Sequence, residues 1–420
     1  MDRFLITGPT RLFGRVRASG AKNAALPALA ASLLTDQPTT LERVPRVQDI
    51  ATFRRLLEHL GVGTTDGPDG ALTLSPGEVP RSAEEAPYEL VKTMRASVLV
   101  LGPLLARYGH ARVSLPGGCA IGVRPIDQHL AGLEALGAEV HLEHGYVEAR
   151  APQLTGARFR FSTPTVTGTE NVLMAACLAR GTTVLEGCAR EPEVTDLARL
   201  LAAMGARIDG AGTDTITVEG VASLGGVRHR VIADRIEGGT YLIAGALSGG
   251  DVVLENADPA DLAPLLGPLT ECGVEVTTGI DWVRVRRDGE LVAHDITTGP
   301  HPGFPTDLQA QYLALMTQAR GTATICETVF ENRFQHVPEL NRMGADVRVE
   351  GHFARVAGPT PLSGTVVMAT DLRASACLVL AGLVAEGQTV VDRIYHLDRG
   401  YERMELKLQR LGGRVERSTG

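Results

Sequence analysis

The sequence predicts a mixed α/β fold of two similar domains, and three observations carry that prediction. At 420 residues the chain exceeds what one hydrophobic core usually supports, so two domains are expected. A turn of the form Leu/Met-Gly-small recurs six times, in "LEHLGVGT", "LEALGAEV", "LAAMGARI", "LTECGVEV", "LNRMGADV" and "LQRLGGRV", the fourth with Cys272 in place of Leu or Met. Each repeat also contains two helical patterns of opposite character, one apolar all round and one amphipathic. Three repeats per domain is the simplest grouping. A six-repeat solenoid is the alternative, but the chain lacks distinct polar capping units.

The repeated turn places Gly61, Gly137, Gly205, Gly273, Gly344 and Gly412 at intervals of 68 to 76 residues. A glycine just past the last apolar position of a helix is the expected left-handed cap. The helix that it closes is amphipathic, as in "YERMELKLQRLG", and belongs at a surface. The other helix of each repeat is rich in small apolar residues and is followed by a short β-branched strand. Examples are "NAALPALAASLLTDQPTTLERV", "ENVLMAACLARGTTVLEGC" and "SACLVLAGLVAEGQTVVDRI". A helix with no polar face belongs inside a domain, where small side chains let backbones approach closely.

Composition narrows the function classes. Hydrophobic content of 44% with 21% charged residues describes an ordinary globular protein. With 41 basic and 49 acidic residues the net charge is −8, which argues against a general nucleic-acid or anionic-membrane binder. "MDRFLITGPT" has no long apolar run, so no signal peptide is read there, and stretches such as "ASVLVLGPLLA" fall short of the roughly 20 residues of a membrane span. The six cysteines, at 119, 177, 188, 272, 326 and 377, include no C-x-x-C pair. A reduced, metal-free, cytoplasmic protein is the expectation.

Two features point to chemistry. The buried helices open with "SGAKNAAL", "VKTMRASV", "TVTGTENV", "DRIEGGTY", "FPTDLQAQ" and "MATDLRAS", and repetition should bring these starts to equivalent places. A helix start exposes unpaired N–H groups and partial positive charge, which suits an anion, yet Lys22 and Arg95 stand in or near the first turn. Either these cations reach away into water or an anionic ligand lies between them and the helix. The second feature is "SLPGGCAIGVRPID", which sets Cys119 after two glycines and five residues before Arg124. Neighbouring cations lower a thiol's pKa, whereas a tolerated cysteine in a strand-to-helix connection is the bland alternative. "FPTDLQ" and "MATDLR" each carry a Thr-Asp pair that also makes a good helix opening, with Thr306 as cap and Asp307 favouring the dipole in the first. Spacing alone does not choose between Asp307 and Asp371.

Taken together, these stretches resemble the enolpyruvyl transferases, and within them the branch acting on UDP-N-acetylglucosamine. The resemblance also runs through "AREPEV", "RIEGGTYL", "PHPGFPTDLQAQ", "ETVFENRFQHVPELNRMGA" and "VDRIYHLDRGYERMELKLQRLG", and so covers almost the whole chain. It implies two domains, each of three βαβαββ-type units around buried helices (an inside-out α/β barrel), joined by two crossing strands. Residues 22–231 would form the first domain and residues 1–21 with 232–420 the second, with the active site in the cleft between them. The implied reaction moves enolpyruvate from phosphoenolpyruvate to the 3′-hydroxyl of UDP-N-acetylglucosamine and releases phosphate, the first committed step of peptidoglycan synthesis. No cofactor, metal, nucleic acid or membrane is implied, and a monomer is the expected state.

The resemblance also implies site residues. Lys22, Arg124 and Arg399 would hold phosphoenolpyruvate, with Asn23 supporting Lys22, and Lys22 would also count among the catalytic residues with Cys119 and Asp307; arginine's planar fork pairs bidentately with carboxylate and phosphate alike. Asp307 would take the hydroxyl proton. Cys119 would act as a general acid or aid product release, and is the position fosfomycin alkylates. The UDP-sugar would meet Arg95, the run Arg124, Pro125, Ile126, Asp127 and Gln128, then Thr163, Pro164, Thr165 and Val166, and finally Asp307 and Val329. Thr163 stands where many members carry lysine, so one uridine or diphosphate contact would be lost or supplied by water. The remaining cysteines lie in apolar or strand-like contexts and read as packing residues. Two other functions fit less well: the sister transferase acting on shikimate 3-phosphate, which lacks the "PGGCAIGVRP" loop, and a non-catalytic UDP-sugar-binding regulator.

Overall fold

The computed structural model describes residues 2–77, 85–86, 88–91, 94–115 and 126–419. Contacts divide these residues into two compact units. The central unit takes the described residues of 20–232, and the terminal unit takes 2–19 together with 233–419.

One repeat shows the plan of all six. Strand Arg158–Arg160 leads to the apolar helix Val166–Ala176, strand Thr182–Glu186, the amphipathic helix Pro192–Ala203, and strands Arg207–Asp209 and Thr215–Glu219. The first strand runs parallel to the second, and the last two add antiparallel, which gives a mixed four-stranded sheet. Among the described residues there are six such sheets, one carrying an extra short strand. Each unit has three of them around its own apolar core. The βαβαββ plan expected from the family resemblance is therefore the observed one.

The helices behave as their composition requires. Arg235–Ser248 is buried from Ile236 to Ser248, Gln309–Met316 along its whole length, and Leu372–Val384 from Arg373 to Leu383. Alanine and glycine keep these backbones close enough to exclude water on every side. The second repeat departs from the pattern. Its apolar segment begins as a 3₁₀ stretch, Arg95–Val100, and becomes an α-helix only at Leu101–Tyr108. Pro103 explains the break, because its ring disfavours an α-helical turn before it but is tolerated in a first turn. Gly61, Gly137, Gly205, Gly273, Gly344 and Gly412 all adopt positive φ, from 84° to 110°.

Two exchanges close the topology. Strand Phe13–Arg17 runs parallel to Asp251–Glu255 in the terminal unit, although the helix that follows it, Lys22–Ala31, belongs to the central unit. Strand Arg228–Arg230 runs parallel to Thr39–Glu42 in the central unit, although the next helix, Arg235–Ser248, belongs to the terminal one. Among the described residues the chain thus crosses after Ser19 and again after Ile232. Strand Arg3–Gly8 then pairs antiparallel with both Gly387–Asp392 and Val415–Ser418, so the N-terminus completes the sixth repeat.

Gly205 isolates the backbone cost of the repeated turn, because its φ is +110° and a Cβ there would meet nothing within 4 Å. Gly205→Ala is expected to destabilise the central unit by at least about 1 kcal/mol through strain alone. Urea unfolding reads this as a lower midpoint with an unchanged native circular-dichroism spectrum; an unchanged midpoint contradicts the assignment.

Candidate active site

In the central unit the site residues lie at helix starts. Lys22 opens Lys22–Ala31, where Ala21 provides no side-chain cap and the first turn has no acid. Its ammonium pairs at 3.1 Å with Asp49, and both side chains are largely buried, 11% and 7% exposed. Asp49 lies in the first turn of Gln48–His59, where the helix dipole favours a carboxylate. A protein carboxylate therefore offsets part of the lysine's charge. Asn23 is half-buried beside it.

Arg95 opens the 3₁₀ stretch, and Asp127 stands exposed in the first turn of Asp127–Ala135, just after the buried Ile126. Gln128 joins two of the expected segments. Its Oε1 accepts from the Ser162 backbone N–H at 3.0 Å, and its Nε2 donates to Ser162 Oγ and, at 3.5 Å, to Thr163 Oγ1. Thr163 and Pro164 are exposed, and Thr165 caps the following helix by accepting from Gly168 N–H at 3.3 Å. Val166 begins that helix. Cys119, Arg124 and Pro125 lie outside the described residues.

Behind these starts sits His129, 1% exposed. Its Nδ1 is 3.0 Å from Asn171 Nδ2, and its Nε2 is 3.3 Å from Thr167 Oγ1. Burial, with Arg95 nearby, pushes its pKa down to about 3, so the ring is neutral.

In the terminal unit Asp307 is the centre of a charge cluster. It lies in the 3₁₀ turn Thr306–Leu308 that leads into Gln309–Met316. Arg333 donates to Oδ1 at 2.7 Å and Arg373 donates to Oδ2 at 2.8 Å. The two arginine side chains are 3% and 5% exposed, against 26% for the carboxylate. Burial alone lowers Arg373, but Asp307, with Tyr401 and Asp234, holds its pKa above the ordinary value. The guanidinium is thus permanently charged.

The two Thr-Asp pairs now separate. Asp371 is a structural cap, accepting from Arg373 and Ala374 N–H at 2.8 and 3.0 Å. Thr306 makes no cap; its hydroxyl donates instead to Glu327 Oε2 at 2.9 Å. Glu327 also accepts from Val329 and Phe330 N–H at 2.8 and 3.1 Å, fixing the turn that exposes Val329. Gln311 Nε2 reaches Thr240 Oγ1, Tyr401 OH and the Asp307 carbonyl, each at 3.1 Å, so the helix starts of this unit share one buried polar network. Arg399 ends the 3₁₀ stretch Ile394–Arg399 and is half-buried.

Sequence reasoning missed Arg333, Arg373, Glu327, Gln311, His129 and Asn171. Arg373 carried a readable signal, a cation in the first turn of an apolar helix, the same one that drew attention to Lys22 and Arg95. The others are polar residues within or beside apolar runs, and only packing reveals their partners. Among the other cysteines, 177, 188, 272 and 377 are buried, and burial raises each thiol's pKa, Cys177 and Cys188 to about 12. These are packing residues. Cys326 is half-buried at the end of strand Ala319–Cys326. No group of His, Cys, Asp or Glu among the described residues is arranged to hold a metal ion.

Two buried histidines, one per unit, make stability depend on pH. Burial lowers His129 to about 3; it also lowers His336 to about 4, where Asp371 opposes and Arg333 reinforces the shift. Both folded values lie below the unfolded value of about 6.5, so between those limits the unfolded chain binds the extra protons. Their contribution is complete above pH 6.5 and is lost as pH falls toward 4 and then 3. The denaturation midpoint is expected to drop between pH 7.5 and 5, and His336→Phe to flatten that slope; an unchanged slope in the variant counts against the neutral buried ring.

Comparison with known proteins establishes the family of the chain. The family model described as EPSP synthase (3-phosphoshikimate 1-carboxyvinyltransferase) matches residues 6–408. Two relatives, both named UDP-N-acetylglucosamine 1-carboxyvinyltransferase, align over 420 residues, covering 99% of this chain and 96% of their own. The one from Koribacter versatilis (strain Ellin345) is 58% identical and the one from Psychrobacter sp. (strain PRwf-1) 56%. Among solved structures, the enolpyruvyl transferase NikO from Streptomyces tendae superposes with a TM-score of 0.90 at 30% identity, covering 100% of this chain and 99% of its own. EPSP synthase from Acinetobacter baumannii shares the fold, with a TM-score of 0.78 at 19% identity and full coverage of both chains. A match of this length, across all six repeats, shows that the chain belongs to the enolpyruvyl transferase family represented by EPSP synthase.

Proposed function

We propose that this protein transfers the 1-carboxyvinyl group of phosphoenolpyruvate to the 3′-hydroxyl of UDP-N-acetylglucosamine, releasing phosphate. The observation that carries this reading is full-length identity of 56–58% to two proteins named for that activity, against 19% to an EPSP synthase. In this reading the protein works in the cytoplasm at the committed step of peptidoglycan synthesis, which links it to cell shape and division. Among the described residues no helix is long and apolar enough to cross a membrane.

The reaction is an addition followed by an elimination. The hydroxyl oxygen bonds to C2 of phosphoenolpyruvate, its proton leaves to a base, and a proton arrives at the methylene carbon. The resulting tetrahedral ketal then loses a methyl proton as the C–O bond to phosphate breaks. Proton gain and loss balance, so the enol ether is restored and no redox partner is needed.

Each proposed group has a physical role. Lys22, Asn23, Arg124 and Arg399 hold the carboxylate and phosphate of the donor, whose charges need several fixed cations once water is excluded. Asp307, held between Arg333 and Arg373, accepts the hydrogen bond of the attacking hydroxyl, orients it and takes its proton. Cys119 supplies or removes a proton on the donor side. Arg95, Arg124, Pro125, Ile126, Asp127, Gln128, Thr163, Pro164, Thr165, Val166, Asp307 and Val329 receive the nucleotide sugar. Lys22 belongs to the central unit and Asp307 to the terminal unit.

Phosphate release from the pure protein with both substrates at millimolar concentration tests the reading; release no faster than background refutes it. Release with shikimate 3-phosphate in place of the nucleotide sugar supports the sister activity. UDP-sugar binding by calorimetry without turnover supports a regulator. Asp307→Ala is expected to lower turnover by roughly 10²-fold or more with the fold retained. Cys119→Asp is expected to keep substantial turnover, because a carboxyl still carries a proton, while losing inactivation by fosfomycin. Equal inactivation of that variant rejects the loop assignment.

A further inference from the structure

We infer that Asn171 is a positioning residue for the nucleotide-sugar half of the site; this rests on the function proposed above. Asn171 lies on the apolar helix Val166–Ala176 and is completely buried, so it touches no ligand. Its amide nevertheless makes three tertiary hydrogen bonds. Oδ1 accepts from Gly102 N–H at 2.7 Å, and Nδ2 donates to the Val98 carbonyl at 3.0 Å and to His129 Nδ1 at 3.0 Å.

The partners fix the orientation of the whole network. A backbone N–H only donates and a carbonyl only accepts, so the amide has one orientation here. Its second N–H then makes His129 Nδ1 an acceptor, which places the ring proton on Nε2, facing Thr167 Oγ1 at 3.3 Å. A protonated ring would set an N–H against the amide N–H and a cation near Arg95, and burial disfavours that charge. The approach of the segments is also tight. A Cβ on Gly102 would lie 2.4 Å from both Asn171 O and Asn171 Oδ1, so glycine is required there.

One side chain therefore joins three segments that each carry proposed acceptor contacts. Val98 and Gly102 belong to the stretch opened by Arg95, His129 follows Asp127 and Gln128, and Asn171 shares its helix with Val166, one residue after Thr165. None of these links involves Lys22, Asn23 or Arg399, the described residues that hold the donor. Loss of the amide is expected to loosen the nucleotide-sugar contacts relative to one another and to leave donor binding intact.

Asn171→Leu, close in size and unable to hydrogen-bond, tests this, and Asn171→Asp, which retains the acceptor for Gly102 but loses both donors, is the second variant. The expected result is a KM for UDP-N-acetylglucosamine raised about tenfold or more, with kcat and the KM for phosphoenolpyruvate within about threefold of the parent protein. Calorimetric titration with UDP-N-acetylglucosamine alone is expected to show the same loss of affinity and needs no turnover, so it remains informative if the parent protein lacks the proposed transferase activity. A folded variant with unchanged affinity overturns the proposal. So does a parallel loss in kcat and both KM values, or failure of both variants to fold, either of which makes Asn171 a residue of the general architecture.

Discussion

An apolar helix with no polar face has to be enclosed on every side, and this constraint organises the molecule. A single βαβαββ repeat covers its helix with one sheet only, so each repeat needs two others to finish the enclosure. Three sheets around three helices satisfy the requirement, and the chain meets it twice. The helix axes are then enclosed, but their first turns still carry N–H groups without intrahelical partners. Asp234 and Asp371 in one unit and Thr165 in the other answer that need by accepting from first-turn N–H groups.

The two units answer it in different chemical terms. In the terminal unit Asp234 and Asp371 cap their helices with carboxylates, while Asp307 is withdrawn from capping and held by two buried guanidiniums. Isolated, either arginine would be costly to bury; paired with a half-exposed carboxylate and set near aromatic rings, both are accommodated. The central unit uses fewer acids at its helix starts. It has Lys22 against Asp49, a hydroxyl cap from Thr165, and a neutral imidazole–amide pair behind them.

The repeat plan was legible because it rests on local physics. Glycine past a helix end, an apolar helix opposed to an amphipathic one, and a β-branched strand between them are short-range signals, and repetition multiplied their weight. Asp307 shows where that reading stopped. Its neighbour Thr306 and its place at a helix opening match those of Asp371, so local rules treat the two alike. What separates them is Arg333, 26 residues on, and Arg373, 66 residues on, which reach Asp307 and leave Asp371 to its own helix.

From the residues alone came the number of repeats, the character of each helix and the cations at helix starts, because each depends on neighbours within a few turns. The family resemblance added the substrate class and the proposed reacting groups. Tertiary structure alone decided which carboxylate is clamped and which only caps, that Thr306 serves Glu327, and that Asn171 binds His129 to two other segments. It also decided which sheet each crossing strand enters. These outcomes depend on contacts between residues far apart in sequence, and the pairing of a buried donor with its acceptor has no local signature.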